Sequence, residues 1–204
     1  MQMQALLGVC PSSSVLSDYI AQLAPRADDT PDVKCFSDAV YFNYFVLGLS
    51  LLFAPQGGYR PIPGSKLSEL NKEKLFLKSV DIYNVPPASN SARSHRAFST
   101  FAALPLKLSL AAEVADENGN VLARPGTLIV TPESTGQDFV MALHEPDRKG
   151  GGTGPSSGSV GIWCEWSKDG IMVEFDGDGP QAWERGKDAL WKVLTMFKPG
   201  STCD

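Results

Sequence analysis

Histidine is nearly missing from this chain, with His95 and His144 alone among 204 residues. A Ser or Cys nucleophile needs a base within hydrogen-bond reach, and neither histidine stands near a nucleophile elbow or a cysteine-protease box. Both read as solvated loop residues. Cysteine is equally sparse: Cys10, Cys35, Cys164 and Cys203 show no short pair spacing, which excludes a zinc ribbon and a redox Cys-x-x-Cys. Free thiols in a reducing compartment are expected. Positive charge is not in excess, since 18 Lys and Arg face 23 Asp and Glu for a net charge of −5. Nucleic acid and anionic membranes are usually met by clustered cations, so neither is an expected partner. Long apolar runs are absent too. The longest, Tyr44 to Ala54, is broken by Gly48 and Ser50 and is too short to span a bilayer. No Asn-x-Ser/Thr sequon occurs, and the first residues lack the basic and long apolar regions of a signal peptide. The expectation is a soluble, intracellular, cytoplasmic protein.

What is present is a repeated pattern. Tyr41 to Phe53 and Trp163 to Phe175 match position by position: Tyr41 and Tyr44 answer to Trp163 and Trp166, and Gly48 to Gly170. Leu49, Leu51 and Phe53 answer to Ile171, Val173 and Phe175. Each stretch reads as a hairpin, with glycine where the turn needs positive φ and alternating apolar residues after it. Lys78 to Tyr83 and Trp191 to Phe197 then read as a third strand in each half. The apolar fraction of 43% and charged fraction of 20% are those of a globular chain.

The rest of the chain supplies connections and a few helices. Ser12 to Ser14 offer N-caps for a helix through Val15, Tyr19, Ile20 and Leu23, which Pro25 ends. A first strand falls near Lys34, and Gly57, Gly58, Pro61, Pro63 and Gly64 mark a long loop. Leu67 to Lys74 adds a helical turn before a strand over Leu75 to Tyr83. Residues 1–84 form a first half, the Pro- and Ser-rich residues 85–97 a linker, and residues 98–204 a second half, or all form one integrated domain. Within the second half, 111–123 has two readings. Leu110, Val114, Val121 and Leu122 could share a helix face, whereas Asp116 to Asn120 is a strong hairpin turn, and the hairpin is preferred. Thr127 to Thr131 reads as strand, as does Phe139 to Leu143. The glycine-rich residues 148–160 read as a flexible connector, and Gln181 to Lys187 as a short helix.

Few residues suggest chemistry. The glycine-rich loop lacks the Gly-Lys-Ser/Thr ending of a phosphate loop and precedes a strand rather than a helix. Asp176-Gly-Asp178-Gly lacks the further ligands of a calcium loop and reads as a turn. Glu165 and Glu174 are expected to face solvent from their strands. No metal or cofactor site is expected. Cys164, between two tryptophans, is expected to pack rather than react. The aromatics remain. Trp163 and Trp166, like Tyr41 and Tyr44, are three apart, so a regular strand sends them to opposite faces. One of each pair belongs to the core, and the other is covered or offered to a partner.

Gly154 to Phe175, together with Gly179 to Ala189, resembles uncharacterised fungal proteins of no assigned function. Each half also resembles the helix-then-meander repeat of the β-lactamase-inhibitor-protein and outer-membrane-assembly lipoprotein type. That resemblance implies tandem units presenting a concave sheet to a protein partner. The expected fold class is α+β, a mainly antiparallel sheet built from two related meanders with helices packed on one face. The expected function is a noncatalytic protein-binding or inhibitor-like module that uses Tyr41, Tyr44, Trp163 and Trp166. Two alternatives stand beside it. One is a hydrolase or transferase with a pocket between the halves, using Cys164 or a serine with His95 or His144. The other is a small-molecule binder in an aromatic cleft.

Overall fold

Alternation of apolar residues builds most of the structure, a computed structural model that describes residues 3–23, 30–85, 98–115, 119–151, 161–176 and 186–203. Helix α1 (Ser14–Leu23) buries Leu16 and Ile20 on one side. Four strands follow, β1 (Asp32–Cys35), β2 (Val40–Tyr44), β3 (Leu49–Pro55) and β4 (Leu75–Tyr83). Strands β5 (Leu106–Ser109) and β8 (Thr127–Val130) pair with each other, and β6 (Glu113–Ala115) and β7 (Val121–Ala123) make a separate hairpin. Of the two readings of 111–123, the chain therefore adopts the hairpin. Helix α2 (Gly136–Leu143) leads into β9 (Arg148–Gly150), β10 (Trp163–Trp166), β11 (Ile171–Phe175) and β12 (Trp191–Phe197). The main sheet has eight strands in the order β1-β2-β3-β4-β12-β11-β10-β9. Mainly antiparallel sheet with two α-helices among the described residues makes this an α+β protein. No helix among the described residues is long and apolar enough to cross a membrane.

The chain divides into two compact units, residues 1–103 with 195–198, and residues 104–194 with 199–204. In the first, alternation gives β2 to β4 one fully apolar face. Val40 stands beside Phe53, Phe42 beside Leu51, Leu51 in turn beside Val80, and Leu49 beside Ile82, each at most 4% exposed. Gly48, at φ 64°, closes the β2–β3 loop, and a Cβ there would lie 2.3 Å from the Ser99 carbonyl oxygen. That close approach seats 98–102 on the hairpin, where Ser99 N–H donates to the Phe45 carbonyl and Phe101 N–H to that of Tyr83. Residues 98–102 thus pack within the first unit rather than opening the second.

In the second unit α2 takes the place of the strand expected over Phe139 to Leu143. Its start is a capping box, in which Thr135 and Asp138 satisfy each other's backbone N–H groups. Phe139, Ala142 and Leu143, spaced three and four apart, then fall on the buried face. Phe139 meets Trp166 and Phe175, its ring centroid 6.4 Å and 5.7 Å from theirs. Arg148 to Gly150 forms an edge strand, so the expected connector is shorter, and its remainder, 152–160, lies outside the described residues. So do most of the expected linker and of the helix over Gln181 to Lys187.

The two hairpins carry the same internal register. Each loop has four residues, and each ends on a left-handed glycine, at φ 64° for Gly48 and 66° for Gly170. Tyr44 pairs with Leu49 as Trp166 pairs with Ile171, and Tyr41 with Leu52 as Trp163 with Glu174.

Candidate functional site

Strand alternation separates the four aromatics into two kinds. Trp166 points to the helix-covered side, is 2% exposed, and donates its indole N–H to the His144 carbonyl at 2.9 Å. It is a core residue. Trp163 faces the other way and lies half-buried against Gly150, its cross-strand partner, whose missing Cβ leaves room for the indole. The Arg148 guanidinium stands 5.9 Å from its ring. Tyr44 shares the parity of Phe42 and Leu49 in pairing, while Tyr41 lies on the opposite face between Lys34 and Leu52.

Tyr41 marks an apolar surface that strand patterns alone do not disclose. The Phe36 ring meets it edge-on at 6.0 Å between centroids. Phe36 is 50% exposed. The Cys35 thiol donates to the Ile62 carbonyl at 3.2 Å, which brings Ile62, 74% exposed, beside the start of the same turn. Phe36 is thus a large apolar ring at the surface against the half-buried Tyr41, and Ile62 is a second exposed apolar side chain, on the loop that bonds Cys35. A signal existed in the sequence, because Phe36 precedes the polar turn residues Ser37 and Asp38, and Ile62 sits between Pro61 and Pro63.

Beneath that surface the same sheet face carries polar groups. Asp32, Asn43, Ser50 and Asp81 stand side by side across β1 to β4. Ser50 Oγ donates to Asn43 Oδ1 at 2.8 Å, and Thr195 Oγ1 to Asp81 Oδ1 at 2.9 Å. Burial pushes the Asp81 carboxyl up to about 6, against the opposing effect of the Thr195 hydrogen bond.

Catalytic candidates fare differently. Burial pushes the Cys164 thiol up to about 11, with Lys149 opposing the shift and Glu145 adding to it. A thiol so placed is protonated at neutral pH and lacks the thiolate that a nucleophile requires. His144 is no solvated loop residue. It caps the C-terminal end of α2 at φ 64° and ψ −162°, and its Nε2 is buried without a hydrogen-bond partner. Non-glycine residues reach that backbone region only when the surroundings force them, at a cost of about 1–3 kcal/mol. Trp166 supplies the constraint, through its bond to the His144 carbonyl. His95 lies outside the described residues. Glu165, expected in solvent, is fully buried because Arg148 on the neighbouring strand reaches it at 3.3 Å. Among the described residues, no group of three His, Cys, Asp or Glu side chains is placed to hold a metal ion.

In the second unit a cleft of about 270 Å³ lies between α2 and its sheet. Val140, Met141, Ile162 and Phe175 form its apolar lining, and Cys164 also lines it. Nothing in the primary sequence groups these residues, which come from separate elements. The chain matches no protein-family model, no curated protein and no solved structure.

Proposed function

We propose that this chain is a noncatalytic protein-binding module that docks its partner on Phe36, Tyr41 and Ile62. The observation that carries the reading is the Phe36 ring, 50% exposed and edge-on to Tyr41 on the sheet face, with Ile62, 74% exposed, on the loop bonded to Cys35. Large apolar groups with an aromatic anchor are what interface centres concentrate. Tyr41 adds a low-entropy ring with a polar tip, suited to a surface that is wet when free and dry when bound. The partner side is therefore an apolar patch with a hydrogen-bonding rim. Gly64 N–H already bonds the Cys35 carbonyl at 3.0 Å, so part of the β1 edge is capped. Docking is through side chains rather than by strand addition. Trp163 with Arg148 is a second aromatic and cation pair of the kind found at hot spots, and it extends the same reading to the second unit.

The test replaces Phe36 and Ile62 by Ser together. Both are exposed, so each change is expected to alter stability by no more than about 0.5 kcal/mol. The double variant should unfold like the parent and lose the protein that the parent captures from native extract. Capture of the same protein by both would remove the reading.

We infer further that the two four-stranded meanders are related. The equal loop lengths, the matching glycine conformations and the position-for-position register support this. A hairpin fixes its register locally, so two unrelated hairpins share all three features less readily than duplicated ones.

A further inference from the structure

The cleft under α2 has an apolar body and a charged mouth that is not neutral. Val140, Met141, Ile162 and Phe175 line it, together with Cys164, whose thiol burial keeps uncharged. Glu145 and Lys149 also line the cleft but neutralise each other, Lys149 Nζ lying 3.1 Å from Glu145 Oε1. Gln137 adds a neutral amide. Lys187 is the remaining cation, exposed and without an ion-pair partner among the described residues. The space equals that of about nine liquid waters, at the small end of ligand pockets. Met141, 70% exposed, and Val140, 39% exposed, leave apolar surface at the opening that no described residue covers.

We propose that this cleft binds a small organic anion with an apolar body, the body against Val140, Ile162 and Phe175 and the charge at Lys187. An inorganic anion would leave the apolar lining wet. A cation would meet Lys187 as a like charge, and Glu145 is already paired. A neutral apolar molecule would gain the lining but nothing from the mouth. The cleft belongs to the second unit and the Phe36 and Tyr41 surface to the first, and neither requires the other.

The full chain, labelled with carbon-13 in its methionine methyl groups, is titrated with octanoate, with octanol and with octyltrimethylammonium. The Met141 methyl resonance reads occupancy, and Met3 and Met196, both buried, serve as internal controls. Octanoate should shift Met141 saturably and bind more tightly than either of the other probes. Lys187→Gln should weaken octanoate by about threefold to fivefold, the effect of one exposed charge pair, and leave octanol unchanged. Equal binding of all three probes, a preference for the cation, or no shift at Met141 would each overturn the proposal.

Discussion

Asp81 shows how much the neighbours of a residue decide. Its carboxyl sits in a sheet between Ser50 on β3 and the Thr195 hydroxyl, and burial pushes it up to about 6 from an ordinary value of 3.8. Between those values the folded chain keeps a proton that the unfolded chain has released. Its contribution to stability is therefore complete below about pH 4 and is lost as the pH rises through about 6. The shift corresponds to about 3 kcal/mol across that window. Asp81→Asn keeps an acceptor for Thr195 and removes the charge. The expected outcome is a higher urea midpoint than the parent at pH 7 and a flatter dependence between pH 4 and pH 6. A lower midpoint at pH 7 would mean that the ionised carboxylate stabilises the fold. Nothing local in the sequence announces this residue, nor Glu165, which alternation assigns to solvent. Arg148 reaches Glu165 from a strand seventeen positions away, and that pairing exists only once β9 and β10 are side by side.

Among the elements, the hairpins were the most legible. Their turns and registers depend on residues adjacent in sequence, and Gly48 and Gly170 mark both turns. Helix α2 reads as strand from sequence because Phe139 to Leu143 is a short apolar run, which periodicity alone does not assign. The Thr135 and Asp138 box that settles it is visible in the sequence three residues apart. The β6–β7 hairpin was legible as a turn, but its anchor was not. Arg124, at its end, donates to both carboxylate oxygens of Asp169 and to the Ala111 carbonyl at 2.7 Å, its side chain 1% exposed. Loss of one partner strands a buried charge, so Arg124→Met is expected to cost about 3–5 kcal/mol in urea unfolding. Arg124→Met with Asp169→Leu should recover most of that loss. Equal destabilisation by the single and the double variant would assign the effect to packing of the hairpin rather than to the charge.

For the whole molecule, sequence patterns placed sheet aromatics at the centre of function, and folding redistributes them. Trp166 closes the core of the second unit and holds the end of α2 through the His144 carbonyl. Tyr41 instead gains Phe36, from a turn that no strand period selects, and the proline-flanked Ile62 comes to Cys35 on the adjoining strand. The cleft under α2 is equally hidden, since its lining joins α2, the three strands β9, β10 and β11, and the connections around Glu145, Ile162 and Lys187. Binding surfaces of this kind arise from topology, and only their parts are written along the chain. Placing a photoactivatable benzoylphenylalanine at position 36 of the full chain and irradiating it in native extract tests the central claim most directly. A discrete adduct with one protein, lost when Ile62→Ser is added, is the expected result. No adduct at position 36, or the same adduct after that change, would contradict docking on the Phe36, Tyr41 and Ile62 surface.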